Sequence, residues 1–237
     1  MISAWKLDAE RSLMKADSPA VLTTAMLHAM ATTGLEDPPS PATFTRWVAE
    51  MEVIGKLRGV IKGVYLNRLG HREVGPAAAA HWVRSRSVVS LSWVLEQAHV
   101  TNNFSDTITC VIPTHPSWPT PNVGDRHTKA CTFRFFAMPA NLVEAGAAQD
   151  ARDLRFDYPR TTPEKALLDW LYLGDSPNSR MTRPPKDLEL EALNTSRLHR
   201  LAKAMQMADA LDRWIDEYQR YQSDVDVREN SATRMRL

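Results

Sequence analysis

Between Val53 and Arg86 the chain places Lys56, Arg58, Lys62, Arg68, Arg72, Arg84 and Arg86 against one acid, Glu73. Bases at that density suit phosphate. Lys and Arg displace counterions from a nucleic-acid backbone, and an Arg can hold both acceptors of a guanine edge. The charge alone reads equally as an ordinary basic surface patch. Its meaning depends on the elements that carry it.

Other constellations carry less chemistry. Glu164, Lys165 and Asp169 form the most charged cluster elsewhere in the chain. Glu164 is accounted for by a helix N-terminus, and Lys165 pairs with Asp169 at i,i+4, so the cluster reads first as structural. Cys110, His115, His127 and Cys131 have zinc-type ligand chemistry, spaced by four, eleven and three intervening residues. Both cysteines fall in apparent strands, where a free thiol is usually a small apolar group. No metal and no cofactor is expected. The sequence holds no phosphate-binding glycine loop, no zinc-protease helix motif and no serine nucleophile elbow. Nor can we point to an acidic cluster suited to Mg²⁺, so the chain is not expected to be an enzyme.

The elements that would position the bases read as follows. Residues 3–16 suit a short helix. Ser18 and Pro19 resemble an N-cap and first helical residue, opening a second helix to about Thr32. Ser40 and Pro41 repeat the pattern before a third helix, in which Phe44, Trp47, Val48, Met51, Ile54 and Leu57 recur at spacings of three and four. Thr43, Thr45, Arg46 and Glu50 lie off that stripe and are the candidates for reading bases. The segment RGVIKGVYL, residues 58–66, then favours a small basic hairpin. Three helices and such a hairpin make a winged helix-turn-helix, with the third helix sized for a major groove. The linker of about seven residues between the second and third helices exceeds the usual three or four.

Residues 70–76 form a polar junction, which we take as a domain boundary. Beyond it, residues 77–83 suit a short helix, and residues 84–89 lead through a strand to Ser90. Ser90 is placed to cap a helix over residues 91–97. Strands are expected at 107–112 and 131–138, and a third at 154–158. A proline-rich loop covers 113–125. Thr161 to Gly174 reads as a capped amphipathic helix. From Asn194 one long helical stripe carries Leu198, Leu201, Met205, Ala208, Leu211, Ile215 and Tyr218. The expected fold class is α+β: a winged helix-turn-helix over 1–75, a mixed helix and strand domain with a helical C-terminus over 76–220, and a polar flexible tail over 221–237.

Composition sets the outer bounds. The 237 residues are 43% hydrophobic and 24% charged, which suits a folded globular chain and leaves no apolar run long enough for a membrane helix. Two cysteines and an N-terminus unlike a signal peptide point to a reducing cytoplasm. The formal net charge of +1 says nothing either way about nucleic acid.

Three ordered stretches resemble the AbiEi family, the antitoxin and transcriptional-regulator components of bacterial type IV toxin–antitoxin (abortive infection) systems. They are RGVIKGVYLNRLG at 58–70, VVSLSWVLEQAHV at 88–100 and TTPEKALLDWLYL at 161–173. The likeness spans about residues 15–215. It implies an N-terminal winged domain that binds inverted repeats in its own promoter and represses it. It implies a C-terminal domain needed for antitoxicity, with Ser90, Leu91, Pro163, Glu164, Lys165 and Asp169 as the motif residues. It also implies a neighbouring nucleotidyltransferase toxin, countered without a stable complex. Partners are therefore expected to be double-stranded DNA and, functionally, that toxin, with no membrane and a monomer or weak dimer. Two competing readings stand beside this one: a nuclease or nucleotidyl-transferring enzyme targeted by the winged module, and a protein-interaction module without DNA binding.

Overall fold

A computed structural model describes residues 3–103, 105–177 and 179–234, with side chains through 225. The fold is mixed α+β: N-terminal helices with a small antiparallel sheet, a central mixed sheet, and C-terminal helices. The chain divides into two compact units, Met1–Ser85 with Asp125–Phe133, and Arg86–Gly124 with Arg134–Leu237.

The first unit begins with α1 (Ala4–Met14), β1 (Val21–Thr23), α2 (Thr24–Thr32), α3 (Pro41–Val53), β2 (Leu57–Ile61) and β3 (Val64–Asn67). The strands pair antiparallel in the order β1-β3-β2. This is the element order and sheet order of a winged helix. The second helix does not open at Ser18 and Pro19, as their capping pattern suggests. Val21, Leu22 and Thr23 instead pair with Leu66, Tyr65 and Val64, and Thr23 caps α2 by accepting from the amide of Met26. The distant strand outcompetes the local cap, because pairing satisfies the backbone and buries Leu22 together.

α3 starts where its sequence says it should. Ser40 Oγ accepts from the Thr43 amide at 3.3 Å, and Pro41 occupies the first turn. Phe44, Trp47, Val48 and Met51 point inward and join Leu13, Leu22, Leu27 and Leu57 in one core. Trp5 meets Trp47 edge-on at 5.4 Å between ring centroids. The linker between α2 and α3 spans residues 33–40, so the long turn is real.

Lys62 and Gly63 make the two-residue turn of the wing, with Gly63 at φ 79°. Asn67, fully buried at the end of β3, locks the unit. Its amide donates to the Leu13 carbonyl at 2.9 Å and to Ser18 Oγ at 3.0 Å, while its Oδ1 accepts from the amides of Leu69 and Gly70.

A 3₁₀ turn, Pro76–Ala79, leads into α4 (Ala80–Val83), so the expected helix over 77–83 is half 3₁₀. Then follow β4 (Val88–Val89), α5 (Ser92–Gln97), β5 (Thr107–Thr114), β6 (Gly124–His127) and β7 (Thr132–Pro139), in sheet order β4-β5-β7-β6. β4 runs antiparallel to β5, and Val89 also bridges Arg160 in parallel, which makes the sheet mixed. β6 begins in the last two residues of the proline-rich loop expected over 113–125, and no strand forms over 154–158. That stretch turns, with isolated bridges at Arg152 and Arg160 beside it.

α6 (Ala140–Val143) and α7 (Ala148–Ala151) precede α8 (Pro163–Asp175), which Thr162 caps by accepting from the Lys165 amide. The C-terminal stripe is two helices, not one: α9 (Thr195–Ala204) and α10 (Ala208–Arg234). Gln206 breaks it at φ 57°. The expected tail from 221 is helical in backbone through Arg234, and its last three positions lie outside the described residues. Among the described residues no helix is long and apolar enough to cross a membrane.

Candidate nucleic-acid interface

The inward stripe of α3 fixes what its outer face presents. Ala42, Thr45, Arg46, Ala49 and Val53 are exposed, with Val53 86% so. Spacings of three and four place them along one face. Small alanines at 42 and 49 let a backbone or base edge approach the helix closely, and Arg46 is the charge between them. Arg46 makes no hydrogen bond or ion pair among the described residues, so its five donors stay open to a ligand.

The neighbouring candidates differ in how free they are. Thr43 Oγ1 lies 2.9 Å from Ser40 Oγ, inside the cap, and Thr45 Oγ1 donates back to the Pro41 carbonyl at 2.8 Å. Glu50 is held by Lys6 of α1 at 2.7 Å, which neutralises an acid that would otherwise repel phosphate at the end of this face. Lys56 is ion-paired to Glu10, and Arg68 donates to the Val74 carbonyl at 2.9 Å. Arg58 reaches from β2 to the Ala130 carbonyl at 2.9 Å. Lys62 in the wing turn and Arg72 beyond β3 are exposed, with no ion pair among the described residues.

Arg84 is partly buried. Burial, and secondarily the nearby Arg126, lower its pKa. Arg86 belongs to the second unit, where its guanidinium lies over the Trp118 ring at 4.3 Å from the centroid. The first unit thus combines Arg46, Lys62 and Arg72 as open cations, and spends Lys56, Arg58 and Arg68 on holding its own elements.

Sequence reasoning gave no weight to Arg126 and Lys129 and set His127 only among zinc-type ligands; all three are exposed and within the first unit. They enter from far along the chain, and no local pattern links them to the wing.

In the second unit three of the motif residues, Ser90, Lys165 and Asp169, meet in one buried network. Ser90 Oγ donates to Asp169 Oδ2 at 2.7 Å, Lys165 pairs with Asp169 Oδ1, and Thr161 Oγ1 donates to Ser90 Oγ at 3.1 Å. Ser90, Lys165 and Asp169 are each 0% exposed. Ser90 therefore does not cap α5. That helix starts at Ser92, after Leu91 at φ 65°, and Thr109 of β5 accepts from the Trp93 amide at 3.1 Å in its place. The Ser90 hydroxyl is committed at both ends, donating to the buried carboxylate and accepting from Thr161, and an unpaired buried charge would cost far more than a cap supplied from elsewhere.

Burial pushes the pKa of Asp169 up, against the pull of Lys165 and the Ser90 hydroxyl. With no exposed atom, the trio serves packing rather than a substrate. Pro163 begins α8, and Glu164 accepts from the Asn194 amide at 2.8 Å and lies 3.4 Å from Arg197, joining α8 to α9.

Among the described residues no three His, Cys, Asp or Glu side chains gather to hold a metal ion. His115 bonds Ser117 Oγ at 2.7 Å and His127 bonds Thr132 Oγ1 at 3.0 Å.

No family model and no curated protein matches the chain. Among solved structures it is similar to the RV2827C protein from Mycobacterium tuberculosis, with 17% identity and a TM-score of 0.46, over 89% of this chain and 78% of that one.

Proposed function

We propose that this chain is a DNA-binding transcriptional regulator in which α3 reads the major groove and the β2–β3 wing contacts the flanking phosphates. One observation carries the reading: in a winged-helix arrangement, the outer face of α3 holds an open Arg46 flanked by Ala42 and Ala49. The Lys6–Glu50 pair supports it by neutralising an acid beside that face. The resemblance to AbiEi regulators extends the proposal. The operator is an inverted repeat in the chain's own promoter, and the second unit counters a nucleotidyltransferase toxin without a stable complex.

The test is a mobility-shift series on the DNA upstream of the gene and on random duplex. Replacing Arg46 by Ala should cost ~1–3 kcal/mol of discrimination, while non-specific binding changes less. Full retention of the preference for the upstream DNA would reject α3 as the reading helix. For the second unit, expression with the neighbouring toxin from an unrelated promoter should restore growth, and failure to rescue would reject the antitoxin role.

A further inference from the structure

β2 is an edge strand of the winged-helix sheet, and its free edge is occupied by the turn between β6 and β7. The Lys129 amide donates to the Val60 carbonyl at 3.1 Å, and Arg58 donates to the Ala130 carbonyl at 2.9 Å. Lys129 Nζ lies 3.8 Å from Glu52 of α3, and the two side chains cross over Gly59, where a Cβ would run into the Glu52 carboxylate. The turn itself is stiff. Thr128 Oγ1 donates to the Cys131 carbonyl at 2.6 Å and accepts from the amides of Ala130 and Cys131.

Covering an edge strand needs only backbone bonds. The side chains of this turn go further. Arg126, His127 and Lys129 all face solvent, and the Arg126 side chain makes no hydrogen bond or ion pair among the described residues. The Lys129–Glu52 pair is long and its lysine is 73% exposed, so a phosphate can readily take Glu52's place. Lys62 of the wing turn stands two residues beyond Val60, the residue that Lys129 bonds.

We propose that the β6–β7 turn is a second wing, with Arg126 and Lys129 gripping the DNA backbone beside Lys62. This rests on the DNA-binding reading above. It adds to that reading a phosphate contact encoded far from the winged-helix segment, and the backbone bond to Val60 and the side-chain bond from Arg58 preorganise it.

The test uses the full chain and a random-sequence duplex, with binding measured across a range of salt concentrations. The double variant Arg126→Gln/Lys129→Gln should lower the slope of log affinity against log salt by ~1–2, and weaken low-salt binding by about tenfold or more. Arg126→Lys, which keeps the charge, should hold the slope near wild type, and Lys62→Gln should lower it independently. If Lys62→Gln lowers the slope while the double variant matches wild type, the second wing is overturned and the winged-helix reading stands. If the wild-type chain binds no duplex at any salt, the underlying reading falls and the second wing falls with it. A melting temperature for each variant, expected to stay near wild type because the substituted side chains are exposed, separates lost contacts from lost fold.

Discussion

The Ser90 hydroxyl donates to Asp169 Oδ2 at 2.7 Å across 79 positions of the chain, and Lys165 closes on the other carboxylate oxygen. All three side chains are sealed from solvent. Asp169→Ala leaves a buried ammonium without its counter-ion and should cost ~3–5 kcal/mol, whereas Ser90→Ala should cost about 1–3 kcal/mol. Replacing Lys165 and Asp169 together by Met and Leu should recover most of the loss. Urea unfolding of the four proteins checks this. A loss below about 1 kcal/mol for Asp169→Ala would mean that the network does not hold the second unit together.

Acid stability has a local source in Asp153. Arg155 holds its carboxylate with two bonds of 2.8 Å, Arg160 lies 3.8 Å away, and these partners lower the pKa of Asp153 against the opposing effect of burial. The unfolded value is near ~3.9, so the stabilisation is complete above that pH and is lost as pH falls through the lower folded value. Arg155 is 79% exposed, which screens the pair and limits its worth to under about 1 kcal/mol. Asp153→Asn should flatten the acid limb of stability measured from pH 7 to pH 2. An identical limb in both proteins would remove Asp153 from the account.

Cys131 should be a poor nucleophile. Burial pushes its thiol up to about 11, outweighing the Thr128 hydrogen bond and the nearby Arg58. At pH 8 its thiolate fraction is then roughly two-hundredfold below that of a free cysteine with pKa ~8.5. Iodoacetamide should modify native protein slowly at pH 8 and faster as pH rises towards 11, with mass spectrometry as the readout. Rapid labelling of Cys131 at pH 8 would contradict the burial of its thiol.

Ala49 offers a clean separation of fold from binding. It is exposed on the outer face of α3, so Ala49→Glu should change stability by no more than ~0.5 kcal/mol. The same change places an unpaired carboxylate where the proposal puts DNA, and like-charge juxtaposition at an interface costs several kcal/mol. Thermal melts and mobility shifts on the same preparation decide it. Unchanged DNA affinity would place the duplex elsewhere on the protein.

What the sequence determined by itself is local. The Ser40–Pro41 cap and the spacing of Phe44, Trp47, Val48 and Met51 set α3 and hence its outer face. Lys62 and Gly63 set the wing turn, and Thr162 with Pro163 sets the start of α8. Each depends on residues within about one helical turn or one hairpin, so the α+β class was legible without coordinates.

Tertiary structure decided everything that depends on a distant partner. Val21–Thr23 became a strand because Val64–Leu66 lay beside it, Ser90 left its helix end for Asp169, and Thr109 capped α5 from another strand. The open or occupied state of each candidate base was settled the same way, since Glu10, Val74 and Ala130 hold Lys56, Arg68 and Arg58. The bases at 126 and 129 joined the wing only because the Lys129 amide found the free Val60 carbonyl on an edge strand. Propensity and periodicity describe a chain against itself over a few residues. An unpaired carbonyl or a buried charge selects its partner from the whole molecule, because leaving either unsatisfied costs more than any local preference returns.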